Sequence, residues 1–369
     1  MPALRKILNL VDDVSSVNYG IWHAAMATAS ELHENHGIES WLLSRNFDAS
    51  FREEDFPLLK TRKLDSLNEK AAEKLFAEFN PEECIVASHG CWQFPTRWGA
   101  IALKMGFRWV YTPHGMLEPW SMRQKIWKKL PYFYLVEKRL AAKSSLVRAV
   151  GKPEWENLLQ HFPSALLIPN GIYKRNLVLS ENRTRQASFL FLARLHHKKN
   201  VIPLAKAWLR ISTGLRKDFK LRIAGTDDGE KEKLLHFMDQ HPDSGIEFLG
   251  PVFGQAKEKL LAECRFYILP SQSEGFPTSV VEAAGAGLLP LISRGCNFPE
   301  LLEAGGGMDC GMDEDSIQIA LEKAMYLSES ETDEMQARAQ QLIAEKYLWE
   351  QIAGGQADAY SRLAYPKKI

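Results

Sequence analysis

The sequence predicts an α/β protein of two doubly wound parallel-sheet domains, and three observations lead to it. Short apolar, β-branched runs alternate with longer helical patterns along nearly the whole chain, as parallel sheets covered by helices on both faces require. The alternation falls into two series, separated by Leu166-Leu167-Ile168-Pro169-Asn170-Gly171. The chain's 369 residues, 45% of them hydrophobic, are enough for two packed cores.

In the first series, strands are predicted at Lys6 to Val11, Ser40 to Leu43, Cys84 to Ala87, Trp109 to Tyr111 and Leu146 to Val150. In the second they fall at Ser188 to Leu192, Lys220 to Ala224, Ile246 to Leu249, Phe266 to Leu269 and Leu289 to Ile292. Helical patterns cover Ile21 to His36, Leu67 to Phe79, Val201 to Ile211 and Lys231 to Gln240. The apolar run into Pro169-Asn170-Gly171 is a turn signal, and the polar stretch Lys174 to Gln186 reads as a linker. The boundary therefore lies after residue 171, giving domains of 1–171 and 172–349.

Charge and composition exclude several functions. Lys plus Arg number 46 and Asp plus Glu number 46, so no global field draws the chain to nucleic acid or membrane, and any electrostatic function is local. The first apolar run is cut short by Asp12 and Asp13, too early for a signal peptide, and no eighteen apolar residues follow one another. The five cysteines, at 84, 91, 264, 296 and 310, include no C-x-x-C pair, which favours reduced thiols in a cytoplasm over a disulfide frame or zinc site.

In open α/β sheets, ligands sit at the carboxyl ends of strands. Behind Phe266 to Leu269 comes Pro270-Ser271-Gln272-Ser273-Glu274-Gly275-Phe276-Pro277-Thr278-Ser279-Val280-Val281-Glu282-Ala283. Gly275 permits a close turn and Pro277 suits the first helical position, so a helix is expected to run to Ala286 with its amides aimed over the strand end. Such an end suits a phosphate. Glu274 and Glu282 can accept hydrogen bonds from sugar or ribose hydroxyls; the same two acids can equally be a helix cap and a solvated side chain. Behind Ser188 to Leu192 stand Arg194 and, five residues on, Lys199. A guanidinium with an ammonium nearby clamps a diphosphate, although an ordinary basic loop reads the same way.

Together these segments resemble the retaining glycosyltransferases of family 4, whose GT-B architecture has two Rossmann-like domains facing a cleft. The likeness spans nearly the whole chain and is strongest from Phe189 to Leu302. It rests on Glu274 to Glu282 as E-x7-E, Arg194 to Lys199 as R-L-x-x-x-K, Ile223-Ala224-Gly225, Phe248-Leu249-Gly250-Pro251-Val252 and Tyr111-Thr112-Pro113-His114-Gly115-Met116-Leu117. The resemblance implies a UDP- or GDP-sugar donor held by the second domain, with Arg194 and Lys199 on its diphosphate, Glu282 on the ribose and Glu274 on the sugar. Backbone around Gly275, Phe276, Pro277, Thr278 and Ser279 would complete the cradle, with the base near Gly225 and Val252. It further implies that the last helix, about Leu342 to Leu363, carries residues 350–369 back to the first domain.

On the acceptor side the family pattern matches His114, and His89 less closely, although a lone His is more often structural. The family's glycine-rich first loop is replaced here by Asp12 to Tyr19, leaving Gly20 as a candidate contact. The transition state is oxocarbenium-like. Arg194, Lys199 and the helix N-terminus would stabilise the departing diphosphate, with His114 and Glu274 at the reacting centre and no metal or other cofactor. Asp313-Glu314-Asp315 superficially matches a metal-binding D-x-D but stands where a helix start expects acids, and His33-x-x-His36 is a weaker metal candidate. Glu274→Ala and Arg194→Ala are each expected to leave the fold intact while cutting transfer at least roughly tenfold.

From Trp120 to Arg148 there are eight cations and only Glu137 as acid, 8 − 1 = +7, interleaved with Trp120, Trp127, Tyr132, Phe133 and Tyr134. That mixture suits an anionic membrane surface or a lipid-diphosphate acceptor; its bland reading is a helix packed by its aromatics with a solvated basic face. The expected function is a retaining glycosyltransferase making a surface polysaccharide or lipid-linked glycan, cytoplasmic or peripheral at the inner membrane face, with no nucleic-acid partner. Its rivals are a GT-B sugar-nucleotide epimerase and a non-catalytic sugar-nucleotide-binding scaffold.

Overall fold

The computed structural model describes residues 3–49, 51–177 and 185–364. The chain forms two compact units, Met1–Asn170 with Trp349–Ile369, and Gly171–Leu348. In the first unit the strands are β1 (Lys6–Val11), β2 (Glu39–Ser44), β3 (Leu59–Lys63), β4 (Cys84–His89), β5 (Arg108–Thr112), β6 (Leu146–Ala149) and β7 (Leu166–Leu167). They pair in parallel in the order β3-β2-β1-β4-β5-β6-β7. The second unit has β8 (Gln186–Leu192), β9 (Lys220–Ala224), β10 (Ile246–Gly250), β11 (Cys264–Leu269), β12 (Leu289–Ile292) and β13 (Met308–Asp309), parallel in the order β10-β9-β8-β11-β12-β13.

Both orders are doubly wound, as the alternation predicts. The winding reverses between β1 and β4 in one unit and between β8 and β11 in the other, which opens a crevice at each pair of carboxyl ends. The central strands are apolar runs because helices cover both faces: every residue of β4 is buried, and in β8 Phe189 stacks on Phe266 of β11 with centroids 4.6 Å apart.

Two strands, β3 and β13, escape the sequence reading, and β7 is what the sheet takes of the apolar strand expected before Pro169-Asn170-Gly171. β3 is the charged edge Leu-Lys-Thr-Arg-Lys, where polar residues protect unpaired backbone, while β7 and β13 are two residues each, too short for a period. The single helix expected from Ile21 to His36 is two, Tyr19–Met26 and Ala29–His36. Between them Thr28 donates its hydroxyl to Gln356 Oε1 (2.9 Å), tying the final helix, Trp349–Ala364, to the first unit. The helix expected from Leu342 to Leu363 is likewise divided. Glu329–Lys346 ends at Tyr347, whose carbonyl accepts from Ile172 N (2.8 Å), and Leu348 forms a lone bridge with Ile172. Of the expected linker, Lys174–Asn176 is a single 3-10 turn, Gln186 begins β8, and 178–184 lie outside the described residues.

Candidate functional site

At the switch point of the second unit, β8 runs out into Ala193 and Arg194, and β9 ends against it at Gly225. A Cβ on Gly225 would overlap the Ala193 carbonyl oxygen, so the residue must be glycine for the two strand ends to approach. The chain then turns through His197–Lys199, and Asn200 leaves the turn at φ 56°, a left-handed conformation that Asn tolerates. Asn200 donates to the carbonyls of Pro270 (2.9 Å) and Met312 (3.1 Å), and Gln272 N donates to Lys198 O (2.7 Å). These bonds fasten the loop after β8 to the loop after β11, residues 270–277.

That fastening brings Lys199 to Glu274. Lys199 Nζ donates to Glu274 Oε1 at 2.5 Å, with both residues 8% exposed. Glu274 is held from below as well: its N–H donates to Gly295 O (2.8 Å), and its carbonyl accepts from Asn297 Nδ2 (2.5 Å). Gly295 is sterically required, since a Cβ would meet the Ser271 carbonyl. Burial alone would raise the Glu274 carboxyl, but Lys199 and Lys198 outweigh it and hold the group below its ordinary value. Lys198, absent from the sequence reading, is lowered to about 8, by burial first and then by Lys199 and Arg194, against the pull of Glu274.

The remaining predicted donor residues have partners of their own. Arg194 donates through Nη1 to Asp228 Oδ2 (2.7 Å) and is more than a third exposed. Glu282 accepts from Lys257 Nζ (2.8 Å), so it is neither a cap nor merely solvated. The Ser279 hydroxyl bonds the Tyr267 phenol (2.7 Å), and Phe276 packs against Phe298 and Tyr347. Val252 is half-buried against the core. The helix spans Thr278–Gly285 and does not reach Ala286; Pro277 is its cap at ψ 68° rather than its first residue. The Pro277 carbonyl takes the N–H groups of Val280 and Val281, while the N–H groups of Gly275, Phe276 and Ser279 bond no carbonyl among the described residues.

In the first unit the structure joins the two histidines. His89, ending β4, lies with Nδ1 2.8 Å from Nε2 of His114, and its Nε2 is 3.1 Å from Asn9 Oδ1 of β1. His114 holds φ 55° and Gly115 φ 75°, a turn pinned by Glu154. The Glu154 carboxylate accepts from Gly115 N (2.5 Å) and Val150 N (2.7 Å). Burial pushes Glu154 up to about 7 against those two bonds, and burial together with Arg148 brings His114 down to about 3. Gly20 is an exposed residue of the helix Tyr19–Met26, with open space where a Cβ would stand, so no close approach requires glycine there. The loop before it is knotted by Asp13, which accepts from Ser15, Asn18 and Asn46.

The basic segment is broken into short helices, Pro119–Arg123, Ile126–Tyr132 and Lys138–Ala141, with a π turn at Phe133–Glu137. Phe133 is buried and Trp120 and Tyr132 are half-buried, while Ile126, Trp127, Leu130, Tyr134 and Leu135 are 41–80% exposed, so the aromatics pack the segment only in part. Arg148, counted among its cations, is instead buried in β6, and Glu137 is buried too, bonding Thr96 (2.8 Å) and Tyr111 (2.9 Å). The accessible excess is unchanged, 7 − 0 = +7.

Asp313 caps the helix Glu314–Tyr326 by accepting from Ser316 N (2.9 Å), and Arg210 pairs with Asp315 (2.6 Å). Among the described residues no three His, Cys, Asp or Glu side chains group for a metal, and no helix is long and apolar enough to cross a membrane. All five cysteines are buried and free.

The family model for Glycosyltransferase Family 4 matches residues 20–174, and that for Glycosyl transferases group 1 matches residues 178–342. A GalNAc-alpha-(1->4)-GalNAc-alpha-(1->3)-diNAcBac-PP-undecaprenol alpha-1,4-N-acetyl-D-galactosaminyltransferase of Campylobacter jejuni is 29% identical over 127 residues, 33% of this chain and 30% of that one. The O-antigen biosynthesis glycosyltransferase WbnH of Escherichia coli is 26% identical over 227 residues, 60% of this chain and 62% of that one. The aligned part thus spans less than two thirds of either relative. Among solved structures, Anabaena HepE in complex with UDP and glucose superposes with a TM-score of 0.77 at 17% identity, over 97% of this chain and 99% of that one. With one family model on each of its two doubly wound units, the chain belongs to glycosyltransferase family 4 and has the GT-B fold.

Proposed function

We propose that this chain is a retaining, metal-independent glycosyltransferase that moves a sugar from a UDP- or GDP-sugar to a glycan or lipid-linked acceptor in surface polysaccharide biosynthesis. The observation that carries the reading is the buried Lys199–Glu274 pair at the switch point of the second unit. A carboxylate there accepts from sugar hydroxyls, while the cation beside it opposes the charge a nucleoside diphosphate gains on leaving. Arg194 and the amides of Gly275, Phe276 and Ser279 supply further donors, and Glu282 reaches the ribose. The bond from the anomeric carbon to the diphosphate breaks, the bond to the acceptor oxygen forms on the same face, and the acceptor proton passes to the leaving phosphate. Two relatives named for transfer to an undecaprenol-linked glycan and for O-antigen biosynthesis support the acceptor class. HepE with UDP and glucose supports the donor class.

The +7 segment, with Trp127 80% and Leu135 60% exposed, is the surface we assign to an anionic membrane. Flotation with vesicles of phosphatidylglycerol and phosphatidylethanolamine at low salt is expected to carry the chain, and Trp127→Ser to release it. Recovery of the wild type in the unbound fraction at low salt overturns this assignment.

The activity is tested with UDP-glucose, UDP-N-acetylglucosamine, UDP-N-acetylgalactosamine and GDP-mannose, each with undecaprenyl-diphosphate oligosaccharides and EDTA. Acceptor-dependent release of nucleoside diphosphate and an α-linked product are expected. Acceptor-independent epimerisation of the donor, or binding without turnover, overturns the proposal.

A further inference from the structure

One face of the first unit's sheet turns polar toward its carboxyl edge. Val11 pairs with His89, His89 with Thr112, and Tyr111 with Val147, so alternation puts Asn9, His89, Thr112 and Arg148 on one face of β1, β4, β5 and β6. All are buried, at 2%, 3%, 0% and 2% exposure, where strands covered on both sides are ordinarily apolar. Polar groups in such a place destabilise the fold unless they are bonded, and they mark positions kept for something other than packing.

Thr112 Oγ1 has no hydrogen-bond partner among the described residues, and the bonds of Asn9 and His89 run in one direction, toward His114. Asn9 Nδ2 donates to the Trp41 carbonyl (3.1 Å), an atom that can only accept, and this orients the amide. Asn9 Oδ1 therefore faces His89 Nε2 as an acceptor, and His89 must carry its proton there. A neutral His89 then has a bare Nδ1, so the 2.8 Å contact requires His114 to carry its proton on Nε2. The neutral His114 is left with a bare Nδ1. Arg148 supports the neutral state of both rings. Its guanidinium donates to the carbonyls of Ile168 (3.0 Å) and Pro169 (3.3 Å), no carboxylate among the described residues pairs with it, and its charge opposes a second one on either imidazole. Of Asn9, His89 and His114, only His114 is partly exposed, so it is the end of the chain open to a ligand.

We infer that Asn9 and His89 are positioning residues that fix the tautomer of His114, so that His114 meets its substrate as a hydrogen-bond acceptor for a sugar hydroxyl and not as a cation for a phosphate. The substrate in this inference rests on the glycosyl-transfer reading above; the tautomer does not.

The test uses the full chain labelled with 15N-histidine and long-range 1H–15N correlation, with His114 assigned by its loss in His114→Gln. The expected wild-type spectrum shows a bare Nδ1 and a protonated Nε2 at His114. Asn9→Leu removes the acceptor, frees His89 to reverse, and is expected to give a mixed or inverted His114 pattern. In the same variant kcat for the sugar nucleotide selected above is expected to fall at least roughly tenfold, with calorimetric affinity for the free nucleoside diphosphate unchanged. A wild-type His114 protonated on Nδ1 overturns the inference whatever the variant does. So does an Asn9→Leu spectrum identical to the wild type. If the tautomer is as stated but no sugar nucleotide turns over, the relay stands and the glycosyl-transfer reading fails.

Discussion

Lys199 and Glu274 form a 2.5 Å ion pair with both side chains about nine-tenths removed from solvent. Two charges at such a depth are stabilised chiefly by each other. Removing one therefore leaves the other buried without its hydrogen-bonded partner, with only Lys198 still beside Glu274 when Lys199 is lost, at a cost of about 3–5 kcal/mol or somewhat less. This revises the expectation that Glu274→Ala leaves the fold intact. Glu274→Ala and Lys199→Ala should each lower the unfolding free energy by that order, and the double variant Lys199→Ala with Glu274→Ala by clearly less than the sum. Urea titrations of the four proteins check the coupling, and a strictly additive pair would disprove it.

Arg194 stands in the opposite situation. Its pair with Asp228 is more than a third exposed, and such pairs contribute about 1 kcal/mol or less. Arg194→Ala is accordingly the clean probe of diphosphate binding: thermal stability near that of the parent and transfer down at least roughly tenfold. Full turnover in this variant would remove Arg194 from the donor site.

Lys198 gives the proposed diphosphate site a pH limit. An ammonium lowered to about 8 is charged below that pH and neutral above it, and a bound diphosphate favours the charged form. Calorimetric affinity for UDP or GDP should hold below pH 8 and weaken as pH climbs past it. In Lys198→Arg, whose cation does not titrate in this range, the weakening should vanish. An unchanged profile in that variant would assign the pH dependence to another group.

Glu154 gives the first unit a pH dependence of stability. The unfolded carboxyl ionises near 4.5 and the folded one near 7, so the folded state binds the proton more tightly. Its contribution is complete below pH 4.5 and is lost as pH rises through 7. Thermal melts should show this slope in the parent and its loss in Glu154→Gln, which retains one acceptor for the Gly115 and Val150 amides. A parallel slope in both proteins would place the titration elsewhere.

The strands at the centres of both sheets were legible because burial on two faces demands unbroken apolar runs, and Lys6–Val11 and Lys220–Ala224 fall where those runs predict. The charged β3 was not, since an edge strand is selected against pairing and so against looking like a strand. In the second unit the sequence pointed to the loops after β8 and β11 but not to their pairing. Nothing in the spacing says that Lys199 lies on Glu274, or that Glu282 meets Lys257, a partner from a neighbouring helix. Asn9 and Arg148 did leave a trace, as polar residues inside strands otherwise read as buried. His89 ends β4 and His114 follows the neighbouring β5, but their contact depends on the left-handed turn at His114 that Glu154 holds, and local sequence does not specify it.

The bond from Thr28 to Gln356 joins positions 328 residues apart. During synthesis, the second unit, continuous from Gly171 to Leu348, can emerge and fold while the first still lacks the helix that packs on Ala29–His36 and β4. The earlier-made domain is thus the later one to be completed, with the buried Thr28 hydroxyl lacking its Gln356 partner until the final helix docks.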